Sequence, residues 1–134
     1  MLTDADVDQF VRDGYVVVRG LIPPDTVGAA LATIWRELQV DPVDEATWPD
    51  NAIIVPHEIN PLMKPCRTPG TDTIAENLAG PDIRRGGGYS PVINFPRPGI
   101  AEFEPMGFHI DGTDVTTLWP GHRYMVLLAY LTDT

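Results

Sequence analysis

Fourteen prolines and twelve glycines are dispersed through 134 residues, and this spacing constrains the fold more than any other feature of the chain. A proline inside a helix removes a backbone hydrogen bond and clashes with the preceding turn, and in a sheet it is confined to edges, strand starts or bulges. The breakers are spread out rather than clustered, so the expectation is a loop-rich fold of short elements and not a low-complexity tail. Hydrophobic residues make up 43% and charged residues 21%, enough apolar material for one packed domain over residues 1–134. No internal repeat is present.

Between the breakers, a few elements are legible. Thr3 is placed as an N-cap, with Asp6 in the reciprocal position of a capping box, and Val7, Phe10 and Val11 form one apolar face of a short helix that Gly14 ends. The β-branched and aromatic run 15–19 predicts a short strand. A second helix is expected after Pro23-Pro24-Asp25, where proline suits the first turn and the acid suits the positive end of the dipole. Its residues Val27, Ala30, Leu31, Ile34 and Leu38 recur at helical spacing, the clearest amphipathic stripe in the chain. Residues 41–70 form a proline-punctuated excursion with a candidate strand at 53–55. A short helix is expected at 72–78, closed near Gly80-Pro81. Strands are expected at 89–95, 106–110 and 123–131. Two helices followed by strands predict an α+β domain dominated by a sheet.

Nineteen acids against nine bases give a formal charge of −10. A surface this acidic repels phosphate backbones and anionic headgroups, which argues against nucleic-acid and membrane-surface partners. The longest apolar run, near residues 125–131, is far short of the roughly 20 residues a membrane helix needs. Acids occupy the first residues where a signal peptide would carry bases, and the single Cys66 forms no internal disulfide. The expectation is a soluble, cytoplasmic protein.

Chemistry becomes possible at GFHIDG, residues 107–112. In an extended segment His109 and Asp111 share one face and Ile110 takes the other. One imidazole and one carboxylate on a face are two-thirds of a 2-His-1-carboxylate triad, which holds non-haem Fe(II) and leaves positions open for co-substrate and O₂. The competing reading is a strand-end histidine satisfied by a turn at Asp111-Gly112.

Other candidates have plainer readings. His57 and His122 are expected on the surface or in loops. The triplet 86–88 lacks the Lys-Ser/Thr that follows a phosphate cradle and reads as a flexible loop. The pair Arg84-Arg85 beside it, with Arg97 and Arg123, could meet a carboxylate. Trp35 is expected in the core or an interface, and Trp48 and Trp119 in loops. Cys66 has no Cys or His at metal spacing and reads as a passive thiol.

Several stretches in order resemble the phytanoyl-CoA dioxygenase family of Fe(II)- and 2-oxoglutarate-dependent oxygenases. They are the opening helix with DGYVVVRGLIPPDTV (13–27), AGPDIR (79–84), PVINFPRPG (91–99), GFHIDG (107–112) and RYMVLLAYLTDT (123–134). The resemblance implies an α+β fold that is a partial double-stranded β-helix (a jelly roll, cupin-like) with N-terminal helices packed on one sheet. It makes His109 and Asp111 the first two iron ligands and Fe(II) the metal. It places Asn94 near the co-substrate 2-oxoglutarate, unless Asn94 is a strand polar group satisfied by a neighbour. The substrate implied is a small organic molecule, hydroxylated at an unactivated C–H bond.

The family's third ligand, a histidine, and the basic residue that anchors the far carboxylate of 2-oxoglutarate have no match here. The resemblance is therefore to the N-terminal half of such a domain. A missing C-terminal half or a second copy in a homo-oligomer would complete it. The alternatives are a non-catalytic remnant, or a small jelly-roll binding module in which His109-x-Asp111 is incidental.

Overall fold

A computed structural model describes residues 2–50, 53–83, 89–95 and 125–132. Helix α1 spans Asp4–Asp13. Its capping box is closed in both directions: the Thr3 amide donates to Asp6 Oδ2 at 2.7 Å, and the Asp6 amide donates to Thr3 Oγ1 at 3.3 Å. Gly14 ends it in the left-handed region (φ 80°), where its amide reaches the Phe10 carbonyl at 2.9 Å. Val7 and Phe10 are half-buried, but Val11, expected on the same face, is 78% exposed, and α1 buries no residue.

Helix α2 spans Pro24–Leu38 and organises the molecule. Ala30 and Ile34 are buried on its stripe, with Val27, Leu31 and Leu38 half-buried beside them. The helix ends in a left-handed Gln39 (φ 56°). There the Gln39 amide donates to the Arg36 carbonyl at 3.2 Å and the Val40 amide to that of Trp35 at 3.0 Å. This is the Schellman pattern, and the turn carries Val40 into the core next to Trp35.

The proline-punctuated excursion is more regular than its composition predicts. After a short 3₁₀ turn at Glu45–Thr47, residues His57–Cys66 form consecutive 3₁₀ turns. Pro61 and Pro65 lie inside this stretch and cannot donate backbone hydrogen bonds, which disfavours an α-helix there. Ile59 and Met63 are nevertheless buried, and this stretch packs against α2. Helix α3 spans Pro69–Ala79, starting ahead of the expected Asp72 because Thr68 caps it through a second capping box and Pro69 fits the first turn. Its start is tied to the loop before α2. The Thr68 hydroxyl donates to the Leu21 carbonyl at 3.4 Å, and a Cβ on Gly70 would come within 3.0 Å of Leu21 Cδ1.

The sheet among the described residues is one antiparallel pair, β1 (Ile53–Ile54) and β2 (Ile93–Asn94), with Ile53 opposite Asn94 and Ile54 opposite Ile93. The core cluster joins Ala30, Ile34 and Val40 to Ile59, Met63, Ile93 and Phe95, with Trp35, Trp48, Tyr89 and Leu131 packed around it. Residues 15–19, expected as a strand, and 125–131, the described part of the expected strand 123–131, carry no strand pairing among the described residues. The alternating exposure at 15–19 is strand-like, but a strand is completed by a ladder partner and not by its own side chains. The expected strand 106–110 lies outside the described residues. No described helix is long and apolar enough to cross a membrane.

Candidate functional site

Asn94 is the one assigned site residue that falls within the described structure. Along β2 the pleat sends alternate side chains to opposite faces. Ile93 and Phe95 are buried, whereas Val92 and Asn94 are exposed on the other side. The Asn94 carboxamide makes no hydrogen bond to any described residue, so no described neighbour satisfies it as a structural strand polar group.

Two side-chain groups hold the stretch that leads into β2. The Arg67 Nε donates to Asp72 Oδ1 at 2.7 Å, and its Nη1 donates to the Tyr89 hydroxyl at 3.3 Å. The hydrogen bond to Asp72, and after it the one to Tyr89, pushes the guanidinium pKa above its already high ordinary value. The Asn60 Nδ2 donates to Ser90 Oγ at 3.3 Å, while the buried Asn60 Oδ1 has no hydrogen-bond partner among the described residues. Tyr89 is thus tied to Arg67 at the end of the 3₁₀ stretch, and through it to Asp72 at the start of α3, while Ser90 is tied to Asn60 within that stretch; Phe95 is buried in the core five residues later. Arg67 was not singled out by sequence reasoning, which considered Arg84, Arg85, Arg97 and Arg123. Its partners lie five and 22 residues away, and nothing in its local sequence announces them.

The other residues singled out from the sequence divide by location. His57 is exposed at the first position of the 3₁₀ stretch, as expected for a surface histidine. Cys66 is a free, half-buried thiol, and desolvation pushes its pKa up, away from a reactive thiolate. Trp35 and Trp48 both pack on Phe95, so Trp48 serves the core although it sits in a loop. His109, Asp111, His122, Trp119, Arg84, Arg85, Arg97, Arg123 and the triplet 86–88 lie outside the described residues. Among the described residues no three His, Cys, Asp or Glu side chains gather as a metal site would require.

One shallow cleft of about 130 Å³ opens between the loop before α2, the first turns of α2 and α3, and the stretch 127–130. Val18, Leu21, Ile22, Val27 and Leu127 give it apolar walls, Thr71 and Tyr130 add polar surface, and among the described residues it contains no carboxylate, imidazole or amine for acid–base work. No protein-family model, no curated protein and no solved structure matches the chain.

Proposed function

We propose that this chain contributes the iron-binding half of an Fe(II)- and 2-oxoglutarate-dependent dioxygenase, a hydroxylase of the phytanoyl-CoA dioxygenase type acting on a small organic substrate. The observation that carries the reading is the sequence GFHIDG at 107–112, placed shortly after PVINFPRPG at 91–99. The donor set fits the metal: an imidazole and a carboxylate two residues apart suit a borderline-hard ferrous ion better than a thiolate set would. The chemistry an Fe(II) ion supplies when bound with 2-oxoglutarate is O₂-dependent decarboxylation to succinate and CO₂, coupled to hydroxylation of a C–H bond.

In this reading His109 and Asp111 orient the metal, and Asn94, exposed and without a described partner, hydrogen-bonds to the co-substrate. The larger architecture is a double-stranded β-helix, of which β2 is one core strand. A C-terminal half or a second copy of the chain supplies the third histidine and the basic anchor, and the compartment is the cytoplasm.

The test is an anaerobic titration with Fe(II) and 2-oxoglutarate, following the visible charge-transfer band of the chelated complex. The reading expects a band that saturates at one iron per chain or per dimer, and 2-oxoglutarate-dependent succinate release once O₂ is admitted. A folded chain with no band would overturn it and leave His109-x-Asp111 as an incidental pair in a non-catalytic remnant or binding module.

A further inference from the structure

We draw no further inference here: the strongest candidate, the exposed apolar stretch 126–130 along one wall of the cleft between α2 and α3, carries nothing because nothing in the structure shows what covers its outer face.

Discussion

The indole of Trp48 meets the ring of Phe95 with centroids 5.5 Å apart and planes tilted by 46°, while its Nε1 donates to the Asp41 carbonyl at 3.0 Å. Trp35 approaches the same ring from α2 at 6.3 Å. Phe95, 3% exposed, is therefore the point where helix, excursion and β2 converge. Tilted aromatic pairs of this kind add to the stabilisation from buried area alone.

Replacing Phe95 by Ala leaves a cavity between two indoles and is expected to cost about 3–5 kcal/mol. That is comparable to the whole stability of a marginal domain, so Phe95→Leu, which keeps most of the volume, is the more informative variant. It should lower the urea midpoint measurably while the tryptophan emission stays blue-shifted. The Ala variant should shift emission to the red. An unchanged midpoint for both would remove Phe95 from the centre of the core.

Gln39 closes α2 in a left-handed conformation that side chains with a Cβ adopt at a cost. Its neighbour Val40 needs that turn to reach the core. Gln39→Gly should therefore raise stability by about 1 kcal/mol, because the same Schellman turn is formed without the Cβ penalty. Chemical denaturation checks this. A destabilised Gly variant would show that the Gln39 side chain contributes more than its backbone strain removes.

The contrast between α2 and the expected strands shows how much local sequence carries. Caps and breakers act within a few residues, so Thr3 with Asp6, Gly14, Pro24 and Gly80 mark helix ends in sequence and structure alike. The stripe around Ala30 and Ile34 is likewise a local pattern that the core uses. Strands are different, because their hydrogen bonds depend on distant chain. The run 89–95 alternates in burial around Ile93 and Phe95 as a strand should, yet among the described residues it pairs only at 93–94, opposite Ile53–Ile54. Val11 fails for a related reason: periodicity says which way a side chain points, not whether anything covers it. The Arg67–Tyr89 contact was illegible because its partners are brought together only by the fold. His109 and Asp111, read from spacing and resemblance, lie outside the described residues.

The capping box of α1 makes that helix sensitive to acid. Asp6 is held below the ordinary carboxylate pKa first by the Thr3 amide and then by the Thr3 hydroxyl. A carboxyl whose pKa is lower folded than unfolded stabilises the helix above its unfolded value, about 3.9 for Asp. That contribution is lost as pH falls through the folded value. The backbone chemical shifts of the first turn of α1 should therefore move towards random-coil values on acidification below roughly pH 4, in the range of the ordinary Asp pKa. In Asp6→Asn, which keeps an acceptor but has no proton to gain, the acid step should disappear. Equal acid sensitivity in both proteins would mean that the box does not set it.

His109 and Asn94 separate the metal from the co-substrate. Under the dioxygenase reading, His109→Ala should abolish the Fe(II)-dependent band and leave the helical circular dichroism unchanged. Asn94→Ala should behave differently. Its side chain is exposed and has no described partner, so the unfolding free energy should change by no more than about 0.5 kcal/mol. Iron binding should persist. The 2-oxoglutarate concentration needed for half-saturation should rise about tenfold, as expected for one lost hydrogen bond to a charged carboxylate. If half-saturation is unchanged, Asn94 does not touch the co-substrate and its exposure on β2 is ordinary strand surface. If stability falls instead, Asn94 has a structural partner outside the described residues.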